Sequence, residues 1–590
     1  MITPDTEELH DPDASTRSSS RRPDESALTS GAAGASPEAG GPAGVSGWVV
    51  AGLTAVAGVI PLVVALAVVR EPRWYPQMDL AVTEMLVRRV GTGDPPLVGL
   101  IGRIHAFGQR GSHPGPISFW LIWPVYRLFG ATSWALQVGA ASLNVLAVGT
   151  AIWIGGRRGG RIAAVGIAAV VTILALNYGT DTLTQPWNPY IPLLWWVVFL
   201  LAAWSVLCDD VALLPVAVFA GSLCLQTHIP YLGLVLGISA VVVTVLAVGL
   251  RRSRPEPGSG RRLARWVAVS LALLVVLWLP PLVEQATSHP GNAAVIADAF
   301  ANPDSEPAGL GRATVETWLS YLDIPALLGR GTVDRVLARR ESVVPGLVLL
   351  AVWAGAAAWA WRARLGRHVL MLHLVVGVAL ALGLMSISRI VGGLASWVVL
   401  WAWGTTALVL VAIAWTVAVT AQRNLPPSHH DVARAGGGAV LAAVFATAAV
   451  AFVFQGAHTG VDSLAGSRTL SHVVPDTVAG LESGALPGTG HRGHYVLRWN
   501  RGPLADGPPY GLLLELQRQG FDVGTLERRG PNEIPYTWRV PDGTTVFIDY
   551  VTGHDGILRW KGTPGAVEVA FYDDPDVGPT AVFLSDAGTP

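Results

Sequence analysis

Eleven apolar stretches, each close to the length of a membrane crossing, constrain this chain more than any other feature. A helix needs about 20 mainly apolar residues to cross the hydrocarbon core of a bilayer. The stretches lie at 47–69, 133–155, 161–177, 190–208, 211–227, 230–250, 264–283, 343–362, 367–385, 395–420 and 437–455. Only 14% of the residues are charged, well below the roughly 25% usual in soluble domains. The sequence therefore predicts a polytopic α-helical membrane protein with about 11 transmembrane helices.

A further apolar run, 117–129 (ISFWLIWPVYRLF), contains Pro124 and Arg127 and is short for a span. We predict an interfacial helix that closes an outer loop, 71–132. Arginine placement supports this choice, because cytoplasmic loops are enriched in Lys and Arg. With eleven spans and the N-terminus inside, four Arg-bearing links are all cytoplasmic: 156–161, 251–265, 362–367 and 421–436. A twelfth span would place the GRRGGR link outside.

The two ends of the chain differ from its apolar middle, 47–455. Residues 1–46 are rich in Ser, Gly, Ala and Pro and predict a disordered cytoplasmic tail. Residues 456–590 are polar and contain two strand-like patterns and one helical pattern, at 494–499, 545–551 and 510–520. They predict a small extracytoplasmic α/β domain. The plasma membrane is the expected location.

Polar side chains collect at the outer ends of the predicted spans, whereas the middles of the spans carry almost no charge. The outer set comprises Asp79, Glu84, His113, Asp181, Gln185, Trp187, Asn188, Gln226, His228, Glu284, Gln285 and Arg389. Ionisable groups at membrane depth usually mark a cavity or a substrate path. Transporters carry such groups through the midplane. The one-sided set therefore predicts an outward-facing cavity.

Two acids follow the first span, in MDLAVTE. Asp79 and Glu84 are five residues apart, about 500° on a helix, so they would not share a face. We predict that Asp79 is a general base, because a carboxylate within hydrogen-bonding reach of a hydroxyl can remove its proton. The alternative is an anchoring carboxylate paired with an arginine such as Arg73 or Arg103. Glu84 is either a second catalytic acid or a structural group.

Three further residues are predicted to bind substrate. His113 lies in HPGP, where the prolines stiffen the backbone; it is either a donor to a phosphate or sugar hydroxyl, or a turn residue. Arg389, in SISRIVGG, is the one charge of an apolar link and could bind a phosphate bidentately or reach to the headgroups. Glu284 is the second-last residue of the LWLPPLVEQ segment.

Two outer motifs complete the predicted site. In QPWNPY, Gln185 and Asn188 offer amides and Trp187 offers a ring on which a sugar could stack; the alternative for Trp187 is an interfacial anchor. In QTHIPY, Gln226 and His228 lie at a tight turn between spans, where buried structural roles are the alternative.

Motifs for cofactors are absent from the sequence. There is no Walker loop, dinucleotide fingerprint, HExxH pattern or Cys-based zinc pattern. We therefore expect no cofactor; a divalent metal on Asp79 and Glu84 is possible in principle but not indicated. No basic motif suggests a nucleic-acid partner.

These motifs together resemble the integral-membrane GT-C glycosyltransferases, which use polyprenyl-phosphate sugars. The family includes protein O-mannosyltransferases, the lipid A aminoarabinose transferase and arabinofuranosyltransferases of actinobacterial cell walls. The matching segments are MDLAVTE, HPGPISFWLIWPVYRLFG, LTQPWNPY and LWLPPLVEQ. Two departures stand out: Leu80 follows Asp79 where members often have a second acid, and the oligosaccharyltransferase signature WWDYG is absent.

The resemblance implies transfer of one sugar from a polyprenyl-phosphate donor to an extracytoplasmic cell-wall glycan, glycolipid or exported protein. It assigns the base to Asp79 and, more loosely, the lipid-phosphate contact to Arg389. Membrane lipids would surround the protein. Two alternatives stay open. One is a flippase or transporter of lipid-linked sugars, and the other is a non-catalytic cell-envelope assembly protein with this fold.

Overall fold

A computed structural model describes residues 46–252, 259–323, 343–461, 463–499, 507–525, 543–544 and 546–586. The predicted tail, 1–46, lies outside the described residues except for Ser46. The helices of the first half are α1 Gly47–Thr54, α2 Ile60–Val68, α3 Met78–Arg89, α4 Ile117–Leu128, α5 Ser133–Tyr178, α6 Thr180–Thr184, α7 Leu193–Leu207, α8 Leu214–Thr227, α9 Tyr231–Arg252 and α10 Ser259–Thr287. Then follow α11 Asn292–Ala301, α12 Arg312–Ser320, α13 Val344–Arg362, α14 Arg367–Ser388, α15 Trp401–Asn424, α16 His430–Gly456, α17 Leu464–Glu482, α18 Pro508–Arg518 and α19 His554–Lys561.

Every predicted apolar run falls on helix, which confirms a polytopic helical membrane fold. Within the described ranges, eight helices are long and apolar enough to cross a bilayer, with α1 and α2 counted as one. Helix α7 and the segment Val211–Thr227 are apolar but shorter. The number of 11 crossings is therefore not confirmed.

Helix α5 contains two of the predicted runs, and the chain changes direction between them. Gly159 and Gly160 have non-helical backbone angles, and φ is +67° at Gly160. A Cβ added to Gly155 would lie 2.7 Å from Cγ1 of Ile167, although a straight helix would hold these positions about 18 Å apart. The two halves of α5 therefore pack against each other. The GRRGGR link is the bend.

Helix α7 forms the centre of the helical bundle. All of its residues are buried, including Trp196 and Trp204. A helix that is apolar all round must be covered by other helices, and α7 packs against α5, α8, α9, α14 and α15. The Trp196 indole donates to Thr405 Oγ1 at 3.1 Å, which satisfies its polar atom inside the core.

The predicted outer loop is largely ordered secondary structure. The helix expected at 117–129 forms as α4, while α3 and an antiparallel hairpin precede it. The hairpin pairs β1 (Ile101–Ala106) with β2 (Gln109–Ser112) and turns at Phe107 and Gly108, both with positive φ. Its strands pack against α11. The sequence pattern does not predict this hairpin.

The C-terminal part contains the predicted small α/β domain. Its sheet has the order β4-β3-β5-β7-β6, and β3 is parallel to both β4 and β5. The strands are β3 His494–Trp499, β4 Asp522–Thr525, β5 Val546–Thr552, β6 Val567–Asp574 and β7 Gly578–Asp586. Helix α17 packs on β6, and α18 packs on α3. The domain thus contacts the helix that carries Asp79.

Candidate functional site

A cavity of about 770 Å³ opens where several chain segments meet at one end of the bundle. Its wall is formed by the start of α3, strand β1, the link before α7, the link between α8 and α9, and the end of α14. Its volume lies within the range typical of small-ligand sites. The ionic groups on its wall are Asp79, Arg103 and Arg389. With Asp79 ionised, the wall carries a net charge of about +1.

Asp79 lies in the first turn of α3 and is exposed to the cavity. Its Oδ2 accepts a hydrogen bond of 2.9 Å from Trp187 Nε1. Among the described residues it has no ion-pair partner; Arg73, a predicted candidate, instead pairs with Glu515 at 2.6 Å. Burial among the surrounding atoms raises the pKa of Asp79, and the Trp187 hydrogen bond and nearby arginines oppose that rise. A carboxylate in this setting is suited to accept a proton.

A chain of aromatic contacts links the acid to a cation across the cavity. The ring of Trp187 lies 5.7 Å from that of Trp397, and the guanidinium of Arg103 lies over Trp397 at 5.5 Å. The charge of Arg103 lowers the pKa of Asp79, although no direct ion pair joins them among the described residues. Neither of the two arginines named as possible anchors thus forms an ion pair with Asp79 in the part of the chain that the structure describes, and the role of Asp79 stays a prediction.

Arg389 caps the C-terminal end of α14 and is exposed on the cavity wall. Its guanidinium forms no hydrogen bond or ion pair with any described residue. A cation near a helix C-terminus is favoured by the helix dipole, which explains its position but leaves all of its donors available. Five donors in a fixed fork suit a phosphate.

His113 lies on the cavity wall, but both of its ring nitrogens have protein partners. The backbone N–H of Ile229 donates to His113 Nδ1 at 3.1 Å, so the proton of the neutral ring is on Nε2. That nitrogen is 2.7 Å from the side-chain amide of Asn188. Because Nε2 carries the proton, the amide of Asn188 is oriented so that its oxygen accepts this hydrogen bond. Burial lowers the pKa of His113 to about 4. His113 and Asn188 therefore satisfy each other, as the turn-residue interpretation requires.

His228 lines the same wall, with its ring centroid 5.3 Å from that of His113. Burial lowers the pKa of His228, and the neighbouring His113 and Arg103 lower it further. Both imidazoles are thus neutral at pH 7. The Nδ1 of His228 has no hydrogen-bond partner among the described residues.

The backbone just before Asp79 is strained. Met78 opens α3 with φ +44° and is 54% exposed on the cavity wall. A non-glycine residue in this region costs about 1–3 kcal/mol and persists only when its surroundings fix it. Here Met78 N donates to Gly507 O at 3.3 Å, and Gln77 Nε2 donates to Ser463 O at 3.0 Å. The C-terminal domain therefore holds the strained start of α3.

Glu84 points away from the cavity. It is fully buried, and its Oε1 accepts hydrogen bonds from Tyr126 Oη, at 2.8 Å, and from Arg518 of the C-terminal domain. Arg518 also donates to Ala131 O at 3.0 Å and to Ser133 Oγ at 3.1 Å. The catalytic assignment of Glu84 stays a prediction, and this geometry favours the structural alternative.

Three other predicted residues lie off the cavity wall. Gln226 is fully buried, donates to Leu277 O at 2.8 Å and packs so closely on Gly115 that a Cβ there would overlap it. The carboxylate of Glu284 accepts from Asn292 N and so caps α11. Gln185 is half-buried between α6 and Pro186. Structural contacts account for the first two.

Six predicted residues thus meet at the cavity, and others were missed. The six are Asp79, His113, Trp187, Asn188, His228 and Arg389. Arg103 was considered only as an anchor, and Trp397 is hidden in an apolar run that gives no signal for it. Among the described residues, no group of three or more His, Cys, Asp or Glu side chains converges on a possible metal position.

The fold and the site together define a class of protein. It is a many-helix membrane domain that has a charged cavity at one end and contacts a small α/β domain. No family model matches the chain, and no curated protein does. The crystal structure of ArnT from Cupriavidus metallidurans in the apo state is similar, with a TM-score of 0.51, 16% identity, and coverage of 91% of this chain and 98% of that one. The chain has the GT-C fold, as the motif resemblance indicated.

Two further solved structures match less well. ArnT from Cupriavidus metallidurans bound to undecaprenyl phosphate gives a TM-score of 0.46 at 15% identity, covering 92% of this chain and 98% of that one. The archaeal oligosaccharyltransferase AglB from Archaeoglobus fulgidus, in complex with an inhibitory peptide and a dolichol-phosphate, gives 0.41 at 11% identity, covering 90% and 74%.

Proposed function

We propose that this protein is a glycosyltransferase that moves one sugar from a polyprenyl-phosphate donor to a hydroxyl acceptor. The observation that carries the proposal is the cavity itself. There Asp79, a carboxylate with no ion pair to any described residue, shares a wall with the two arginines Arg103 and Arg389. A proton acceptor and a phosphate-binding pair are the two groups this reaction needs. The GT-C fold, shared with ArnT, supports the same reaction class.

The proposed step exchanges one bond for another at the anomeric carbon. The acceptor oxygen forms a bond to that carbon, and its proton passes to the Asp79 carboxylate. The bond from the carbon to the phosphate oxygen breaks, and its electron pair leaves with the polyprenyl phosphate. The donor is already activated, so no nucleotide takes part.

Arg103 and Arg389 would stabilise the leaving group. The phosphate changes from a diester to a monoester and gains negative charge during the step. Cations preset beside a developing charge lower the barrier because they interact more strongly with the transition state than with the substrate. The wall's net charge of about +1 matches a singly charged diester donor.

In this proposal Trp187 positions the Asp79 carboxylate, in addition to its predicted stacking on the sugar. Its indole N–H fixes one carboxylate oxygen at 2.9 Å. Oδ1, which has no hydrogen-bond partner among the described residues, would face the acceptor. The neutral His113 and Asn188 would shape the wall rather than carry charge to the phosphate.

The orientation and the acceptor belong to the same proposal. The N-terminal tail would be cytoplasmic and residues 456–590 extracytoplasmic, with the cavity facing the outside and the outer domain shaping the acceptor site. A cell-wall glycan, a glycolipid or an exported protein would provide the hydroxyl. The four Arg-bearing links, all at the other end of the bundle in this arrangement, agree with it.

Donor turnover by the purified protein in lipid tests the proposal, using a panel of polyprenyl-phosphate sugars. The wild type is compared with Asp79→Asn and with a matched control, Asp304→Asn, which removes an exposed carboxylate away from the cavity wall. Turnover lost only in Asp79→Asn supports the base. Donor binding without turnover in all three proteins would indicate a transporter or a non-catalytic assembly protein.

A further inference from the structure

A second pocket, of about 660 Å³, lies at the opposite end of the bundle from the cavity. Its wall contains Ala212, next to the start of α8, whereas His228 on the cavity wall follows the end of α8. Helix α8 has 14 residues and spans about 21 Å, so the two sites are separate. The proposed sugar transfer does not use this pocket.

Arginine and tryptophan side chains dominate the second pocket. Arg261, Arg262 and Arg265, from the first two turns of α10, line it together with Trp266. Trp153 and Arg157 of α5 complete the wall. Arg157 is already neutralised, because Asp210 accepts its two hydrogen bonds at 2.5 and 2.8 Å. The three α10 arginines form no ion pair with any described residue, so they carry a charge of about +3.

Among the described residues, nothing compensates this placement of positive charge. The N-terminal end of a helix carries partial positive charge, so cations there are disfavoured, and α10 has no acid in its first turn. Arg261 and Arg265 also lie four residues apart on one face, where like charges repel. A multiply charged anion in the pocket would offset both effects.

The tryptophans indicate that this anion belongs to a lipid. Trp153 is 41% exposed on a helix long and apolar enough to cross a bilayer. Tryptophan concentrates at the level of the lipid headgroups. Arg265 lies over the ring of Trp266 at 5.4 Å, so the ring also orients a cation toward the pocket. An apolar face beside a cluster of guanidinium groups suits a phosphate attached to acyl chains.

We propose that this pocket binds the headgroup of an anionic phospholipid with two phosphates. The charge of about +3 on these arginines exceeds the single negative charge of one phosphodiester. This difference favours a doubly charged headgroup over a singly charged one. The proposal is independent of the sugar transfer. Asp79→Asn, which should abolish transfer, should keep the lipid.

Native mass spectrometry of the full-length protein, released from micelles with equal amounts of diphosphatidylglycerol and phosphatidylcholine, tests the proposal. The wild type should retain diphosphatidylglycerol selectively. The triple variant Arg261→Gln, Arg262→Gln, Arg265→Gln should bind it about tenfold or more weakly. The control removes the same charge elsewhere, with Arg161→Gln, Arg251→Gln and Arg434→Gln at exposed positions off the pocket wall, and should bind normally.

Equal loss in the two triple variants would overturn the proposal, since it would show a general charge effect. Displacement of the lipid by inorganic phosphate would also overturn it, because the site would then bind free phosphate. Should the first triple variant not fold, Arg265→Gln alone carries the test. It should give a loss of severalfold in the same experiment.

Discussion

The two acids of α3 lie five residues apart, and one is exposed to the cavity whereas the other is buried. Asp79 is exposed to the cavity and its only described side-chain partner is an indole N–H. Glu84 is fully buried and bound to Arg518 of the C-terminal domain. One acid can exchange a proton with a ligand, whereas the other holds two parts of the fold together. The same chemical group therefore has a different use on each face of one helix.

Removal of the Asp79 charge should have the largest effect on activity and should cause no loss of stability. Asp79→Asn should lower kcat by about 10²–10⁴-fold, as expected for loss of a general base. Because folding raises the pKa of Asp79, stability falls as the pH rises from the ordinary carboxyl range through the raised pKa. The variant should therefore unfold at an unchanged or higher temperature at pH 7. A lower melting temperature would contradict this division of roles.

The ion pair of Glu84 should show the reverse pattern. Arg518→Met leaves a buried carboxylate without its cation, which should cost about 3–5 kcal/mol of stability. The double variant with Glu84→Gln should recover part of that loss. Denaturation of the four proteins in micelles gives the coupling, and strictly additive losses would disprove it. The exposed pair Arg312–Glu316 is the control, since its removal should leave stability unchanged.

Loss of a phosphate-binding arginine should have an intermediate effect on the cavity side. Arg389→Gln removes a charge-assisted contact worth about 1.5–3 kcal/mol, or roughly tenfold to over a hundredfold. The kcat/KM for the polyprenyl-phosphate donor should fall by that factor while the melting temperature stays constant. Steady-state kinetics measures kcat/KM and thermal denaturation in micelles measures the melting temperature, with Arg312→Gln as the exposed control. An unchanged kcat/KM would remove Arg389 from the donor site.

The smallest effect should come from the indole that holds Asp79. Trp187→Phe keeps an aromatic ring but removes the N–H that lowers the pKa of Asp79. The acidic limb of kcat/KM, where activity is lost as the base gains its proton, should move to higher pH. Because the carboxylate itself remains, the rate at pH values above this limb should fall by no more than severalfold. Trp397→Phe should leave the limb in place; a shift in both variants would refute the role of the N–H.

Local sequence patterns predicted the helices well. An apolar run of membrane length forms a helix in a bilayer, because the helix satisfies all of its backbone hydrogen bonds within the segment. They also predicted that Asp79 and Glu84 face different ways, because rotation along a helix is fixed. They did not predict the hairpin that brings Arg103 to the cavity. Its strands are short, and their stability comes from packing against α11, about 190 residues further along the chain.

The motif residues illustrate the same limit. His113 and Asn188 were each predicted to meet a ligand, and in the fold they meet each other. Gln226 and Glu284 were chosen as costly polar groups near the membrane, and in the fold they bond to a backbone carbonyl and a helix N-terminus. A sequence shows that a buried polar group needs a partner. It does not show which partner the fold provides.

The sequence by itself determined that this chain is a many-helix membrane protein with polar groups at one end and a small α/β domain after the last helix. These properties follow from hydrophobicity and periodicity, which act over a few residues. Only the tertiary structure decided which acid faces the cavity, which arginines line it, and that the C-terminal domain holds the start of α3. Those outcomes depend on contacts between distant segments, whose packing fixes desolvation and charge pairing.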